Sequence, residues 1–176
     1  MAKSHVLIAL GSNLGDRLGH LKGAIAAVGE LGVVTAVAPN FVTSPIGPHA
    51  NQEFLNSALT LATDLDPDAL IAALLDIETA AGRVRDVKWG NRTLDLDIIL
   101  WQDMGTRAPQ IVRTAKLTIP HPACLERDFV LLPAAQIAGD WLHPLTGRTL
   151  AAHHATKKGS LSAPVPSNFD MAQSAT

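Results

Sequence analysis

The chain has 176 residues, 47% of them hydrophobic and 17% charged, with a formal net charge of −2. This composition excludes wholesale disorder, and the slight acidity excludes a general attraction to nucleic acid or to an anionic membrane, so any function that needs cations must be local. The one cysteine, Cys124, excludes an internal disulfide, and no apolar run approaches the roughly 18 residues of a membrane span, so a single cytoplasmic domain is the expectation.

His5 to Leu10, HVLIAL, is a short apolar run that reads as a buried first strand rather than a signal peptide. GSNLGD follows as a tight turn that lacks both glycine-rich phosphate-loop signatures. A helix then carries Leu14, Leu18, Leu21, Ile25 and Val28 as one stripe, with Gly32 closing it. Val33 to Val42 reads as a second strand that Pro39 bends or confines to an edge. Residues 43 to 53 hold two prolines and a glycine, longer than a hairpin needs, and such loops are often functional. Phe54 to Ala62 alternates as a third strand with Phe54 and Asn56 on one face, an aromatic surface beside an amide, as a flat heteroaromatic ring requires.

Asp66-Pro67 starts a second helix, lined by Leu70, Leu74, Ile77 and Ala81 and stopped by Gly82. Glu78 in its last turn opposes the helix dipole and, taken alone, is an ordinary surface acid paired with Arg83 or Arg85. Thr93 to Trp101 alternates strictly: Leu94, Leu96, Ile98 and Leu100 share one face, and Thr93, Asp95, Asp97, Ile99 and Trp101 the other. Two carboxylates about 7 Å apart on a half-buried strand need compensating cations and suit hard divalent ions such as Mg²⁺. A lone D-x-D would be two solvated acids. Arg83, Arg85, Lys88 and Arg92 just before it favour a polyphosphate site. Gln102 to Ala115 reads as a polar excursion, Lys116 to Pro120 as a strand, and His121-Pro122 as the start of a short helix bearing Arg127 and Phe129. Residues 139 to 150 read as a turn and a last short segment. From Ala151 to Thr176 the composition predicts a disordered tail in which His153 and His154 are solvated, leaving one domain over residues 1 to 150.

The element order β-α-β-β-α-β predicts an α+β, ferredoxin-like core: a largely antiparallel sheet with both helices packed on one face, the other face or its loops left for a site, and C-terminal elements extending it. A different D-x-D phosphotransferase or nucleotidyltransferase would share the acids without needing Phe54, Asn56 and Phe129 together. An RNA-binding module of the same fold would need a basic, aromatic third strand, which FLNSALTLA is not.

ALGSNLGD, TSPIGP with a downstream FLN, E-x-x-x-G-R-x-R, WGNRTLDLDIIL and LTIPHP followed by ERDFVLLP together resemble the hydroxymethyl-dihydropterin pyrophosphokinases of folate biosynthesis, from about Ser4 to Ala138. The resemblance implies transfer of the pyrophosphoryl group of ATP to the hydroxymethyl oxygen of 6-hydroxymethyl-7,8-dihydropterin, with release of AMP. It implies that Asp95 and Asp97 hold two Mg²⁺ ions. Phe54 and Phe129 would sandwich the pterin, with Asn56 and groups near Thr43 and Ile46 reading its edge. Glu78, Arg83, Arg85, Trp89, Arg92 and His121 would line the nucleotide, with Arg127 over the transferring phosphates. Arg83, Arg92 and Arg127 join the two acids as the catalytic set, and loops 43 to 53 and 83 to 92 would close over both substrates. Pro122 stands where many relatives carry an aromatic residue, and the segment between Arg85 and Trp89 is one residue shorter than in some. A monomer with no nucleic-acid or membrane partner is expected.

Overall fold

A computed structural model describes residues 2–45, 48–84 and 91–157. Among the described residues five strands form the main sheet, four of them side by side: β1 (Ser4–Ser12), β2 (Val33–Val37), β4 (Phe54–Thr63) and β5 (Asp95–Asp103), in the order β2-β4-β1-β5. Every pairing is antiparallel. A short β3 (Phe41–Thr43) pairs with the beginning of β4. Helices α1 (Arg17–Gly29) and α2 (Pro67–Ala80) connect these strands. This is the predicted βαββαβ arrangement. The chain continues through a two-stranded ribbon, β6 (Val112–Arg113) and β7 (Thr118–Ile119), and then α3 (Asp128–Ala138) and α4 (Leu150–Ala155).

Two cores flank the sheet. Val6, Ile8 and Leu10 of β1, Leu59 and Leu61 of β4, and Leu94, Leu96 and Ile98 pack with Leu21, Ala24 and Val28 of α1 and Leu70 and Leu74 of α2. The opposite face, with Leu7, Ala9 and Ala58, is covered by Val130, Leu131, Ala134 and Ala138 of α3 and Leu150 of α4. The second face is therefore largely closed, and a cleft opens at the end of the sheet where β1 finishes and β4 and β5 begin.

Local chemistry moves several expected boundaries. Helix α1 starts at Arg17, because Asp16 caps it by accepting from the Gly19 N–H at 2.9 Å. Leu14 precedes the helix and is 38% exposed, so the buried stripe begins later. The expected strand 33–42 is two strands. Pro39 cannot donate to a ladder, and around it Ala38 turns both polar groups to β4, its N–H to Ala58 O (2.8 Å) and its O to Ser57 Oγ (2.8 Å). β2 lies at one edge of the sheet, one of the two outcomes the proline suggested.

The alternation along β5 also breaks. Leu7 pairs with Leu100 but Ile8 pairs with Ile98, so Ile99 is an extra residue in the ladder. The bulge leaves Asp95 and Asp97 opposite Leu94, Leu96 and Ile98, but it sends Leu100 to the α3 side and Trp101 to the α1/α2 side. Both are the reverse of what strict alternation predicts.

Further on, β5 runs to Asp103, whose Oδ1 closes the following turn by accepting from the Gly105 and Thr106 N–H groups. The helix expected at His121 begins only at Asp128, and Arg127 is its N-cap residue. Residues 151–155, expected in a disordered tail, are helical, as part of α4. Thr149 Oγ1 caps them by accepting from Ala152 N (3.1 Å), and Leu150 is buried. His153 bonds Thr146 Oγ1 at 2.7 Å, and Lys157 reaches Asp128 at 3.1 Å. Small size and low hydropathy hid a segment that is held by one leucine and its partners. Residues 158–176 lie outside the described residues, as do Ile46, Arg85 and Trp89 among the expected site residues.

Candidate active site

The end of helix α2 places the first arginine. Gly82 adopts φ +83°, which is open to glycine and strained for other residues, and there the chain reverses. Gly82 N donates to Thr79 O and Arg83 N to Glu78 O, the pairing of a Schellman cap. Arg83 is thereby folded back on the helix it follows, with Nη1 2.7 Å from Glu78 Oε1 and 2.7 Å from Asp95 Oδ1. Glu78 is therefore not a surface acid: it is 2% exposed and also accepts the Leu96 N–H at 2.8 Å. That bond and Arg83 offset its unfavourable place at the helix terminus.

Asp95 and Asp97 open β5 on the face shared with Ala9 and Gly11, their partners on β1. Arg83 holds Asp95 Oδ1, and Arg92 holds Asp95 Oδ2 at 2.8 Å. Among the described residues no guanidinium forms such a pair with Asp97. Burial first, then the charges of Asp95 and Glu78, push its carboxyl up to about 7, with Arg127 and Arg83 acting more weakly in the other direction. Among the described residues, then, Asp97 is the acid of the pair with less positive charge against it. Hard oxygen donors in a pair on one face fit a divalent cation such as Mg²⁺, and among the described residues no third acid, histidine or cysteine completes a protein cage. A cation there must draw further ligands from phosphate and water, which is how Mg²⁺ is usually held.

On the adjoining strands stand the groups for a flat ring. Asn56 on β4 and Thr43 on β3 are buried, and Asn56 Nδ2 donates to Thr43 Oγ1 at 2.6 Å, which fixes the amide's orientation. Gly11 is required opposite: a Cβ there would come within 2.9 Å of Asn56 Oδ1. Phe54 follows from β4. Phe129 enters from the first turn of α3, with the Arg127 guanidinium 5.8 Å from its ring centre. One cleft, about 700 Å³ with its open mouth, is lined by Thr43, Ser44, Phe54, Asn56 and Phe129 on one side and Arg92, Asp95, Asp97 and Arg127 on the other. Residues far apart in sequence thus meet in one cleft.

Glu78, Arg83 and His121 lie behind or beside that lining. His121 is held by its N–H to Ile99 O, and its Nδ1 accepts from Ala123 N at 3.2 Å. Burial and Arg127 lower its pKa while Asp95 raises it, so the ring belongs electrostatically to the same site. Sequence reasoning missed Asn13. This residue of GSNLGD is 0% exposed, and its carboxamide bonds the loops on both sides of the cleft. The nearest signal was its place immediately after the apolar first strand, which a tight-turn reading absorbed.

Paired acids and convergent arginines beside an aromatic wall, at the end of a ferredoxin-like sheet, are chemically suited to a phosphotransferase. Residues 7–139 match the family model described as 7,8-dihydro-6-hydroxymethylpterin-pyrophosphokinase (HPPK). A 2-amino-4-hydroxy-6-hydroxymethyldihydropteridine pyrophosphokinase of Synechocystis sp. is 40% identical over 149 residues, covering 82% of this chain and 71% of the relative. The enzyme of that description from Bacillus subtilis is 41% identical, covering 74% and 75%. Among solved structures, Plasmodium falciparum HPPK-DHPS shares the fold with a TM-score of 0.67 at 12% identity, over 87% of this chain and 43% of the longer one. The chain spans less than half of that HPPK-DHPS chain. This chain belongs to the 7,8-dihydro-6-hydroxymethylpterin-pyrophosphokinase family, and is thus an ATP-dependent diphosphotransferase of folate biosynthesis.

Proposed function

We propose that the cleft carries out pyrophosphoryl transfer from ATP to the hydroxymethyl group of 6-hydroxymethyl-7,8-dihydropterin through the residues assembled above. The observation that supports this most is the single cavity in which Asp95, Asp97, Arg92 and Arg127 face Phe54, Asn56, Thr43 and Phe129. In this reading Phe54 and Phe129 stack the pterin, Asn56 pairs with its edge in the orientation set by Thr43, and backbone groups near Ile46 complete that edge. Arg83, Arg85, Trp89, Arg92 and His121 serve the nucleotide, with Glu78 acting from behind by holding Arg83. Arg127, at the mouth of α3, lies over the transferring phosphates.

Asp95 and Asp97 would hold Mg²⁺, two ions in this reading, which would neutralise phosphate charge and lower the pKa of the attacking hydroxyl. The protein's own contribution is to orient and neutralise. Arg92 sits on Asp95 Oδ2 at 25% exposure and can turn from it to a phosphate oxygen as one enters the cleft. The aromatic walls exclude water, which limits loss of ATP to hydrolysis. No covalent intermediate is needed, because transfer between two bound oxygens rests on positioning and charge.

Among the described residues no helix is long and apolar enough to cross a membrane. Burial pushes the Cys124 thiol up to about 11, which makes it inert. The deciding experiment mixes the protein with ATP, Mg²⁺ and the pterin and identifies the nucleotide product by chromatography. AMP formed only with pterin present is the expected result, whereas ADP, or AMP formed regardless of pterin, overturns the proposal.

A further inference from the structure

The two walls of the cleft come from segments that do not pair with each other in the sheet. The ring-binding wall follows the 44–53 connection, and the phosphate wall follows residues 83–94. Three asparagines join them. Asn13, at the end of β1, accepts the Arg92 N–H on Oδ1 at 2.6 Å, and its own N–H donates to Arg92 O at 3.0 Å, so the Arg92 peptide is held on both sides. Asn13 Nδ2 donates to Asn91 Oδ1 (2.9 Å) and to Gln52 O (3.2 Å). Asn91 Nδ2 in turn donates to Asn51 Oδ1 at 2.7 Å, and Asn51 N donates back to Asn91 Oδ1 at 3.3 Å. Arg17 Nη1 adds a bond to Glu53 O at 2.8 Å from the start of α1.

A fully buried carboxamide with both ends engaged is costly to disturb, because any lost partner leaves a desolvated polar group. Its Oδ1 holds the residue whose side chain lies on Asp95, and its Nδ2 holds the loop that leads into Phe54. We infer that Asn13, Asn91 and Asn51 form a chain of positioning residues that sets Arg92 against Asp95 from across the cleft, so that an exposed asparagine on the ring-side loop controls a phosphate-side step. This inference rests on the assignment of phosphates to the Arg92 wall and pterin to the Phe54 wall.

The test is steady-state kinetics on the full chain, with AMP as product, for Asn51→Ala, Asn91→Ala, the double variant and Asn51→Asp. Asn51 is exposed, so its truncation leaves the fold intact, which thermal melting checks. Asn51→Ala is expected to raise the KM for ATP or lower kcat at saturating pterin by roughly three- to tenfold, the loss of one or two hydrogen bonds. Asn91→Ala should do the same, and the double variant should be no worse than either single one, because both cut one chain. Asn51→Asp keeps the side-chain oxygen that Asn91 needs and should restore near wild-type values. If Asn51→Ala changes only the KM for pterin, or if the two substitutions multiply, the inference is overturned while the family activity stands. A wild-type chain that makes no pterin-dependent AMP overturns the substrate assignment itself.

Discussion

At the residue scale the site is organised by what Asp97 lacks. Asp95 carries two guanidinium groups, whereas Asp97 is half-buried beside acids and has its carboxyl raised to about 7. An acid raised in the fold binds protons there that the unfolded chain has lost, so the cost of ionising it grows as pH rises from about 4 toward 7 and is fully present above 7. Asp97→Asn removes that charge at nearly constant volume. It should stabilise the metal-free protein at pH 8, on the order of 2 kcal/mol in urea unfolding, and stabilise it little at pH 4. Asp97→Ala should abolish turnover while the fold survives, as measured by AMP release alongside circular dichroism. Retention of most activity in Mg²⁺ would remove Asp97 from the proposed metal site. Gly11 is a second residue-scale test. Gly11→Ala places a methyl within 2.9 Å of Asn56 Oδ1, and the KM for pterin should rise roughly tenfold with the KM for ATP little altered.

At the element scale the termini of helices do most of the positioning. The reversal after α2 turns on Gly82, and Gly82→Ala forces φ +83° on a residue with a Cβ, at a cost of about 1 kcal/mol or more. The melting temperature should fall by roughly 2–4 °C, and activity should fall further, because Arg83 loses its place on Glu78 and Asp95. α4 supports α3, which carries Phe129. Leu150→Ala should therefore cost about 2–4 kcal/mol in denaturant unfolding. The paired α1 and α2, the buried β1 and the edge position of β2 were legible in the sequence, because apolar period and proline are local signals. The bulge at Ile99 was not. Its residues are all apolar and suit either face, so only the register against Leu7 and Ile8 decides which way Leu100 and Trp101 point. Helix α4 was hidden for the opposite reason: AAHHA shows no apolar stripe, and the helix is held by Leu150, the Thr149 cap and contacts with α3.

For the whole molecule, acid stability should follow the histidines once Asp97 is neutralised. His5, His121, His143 and His153 all have lowered pKa values, with burial the first cause in each and the positive groups Arg107, Arg127, His153 and Arg148 respectively adding to it. A base lowered in the fold must gain a proton on unfolding, so its contribution is present above the unfolded value of about 6.5 and is lost as pH falls. The urea midpoint of Asp97→Asn should therefore drop between pH 7 and pH 5. A flat profile would show that these rings titrate as they do in the unfolded chain.

The β-α-β-β-α-β order of the core, the acids at i and i+2, the arginines before them and the Phe-x-Asn pair were all determined by the sequence alone. Each depends on spacing within one element, and together they carried the family resemblance. Which of these groups meet was decided only by the tertiary structure. β1 runs between β4 and β5, so Gly11 touches Asn56 on one side and Asp95 on the other, and residues more than forty positions apart in the chain become neighbours. Burial decided the rest. It turned Glu78 from a surface acid into the anchor of Arg83, and it made Asn13, a turn residue by composition, the link between the two walls of the cleft. Desolvation and long-range hydrogen bonding depend on what the rest of the chain places around a residue, which no local pattern encodes.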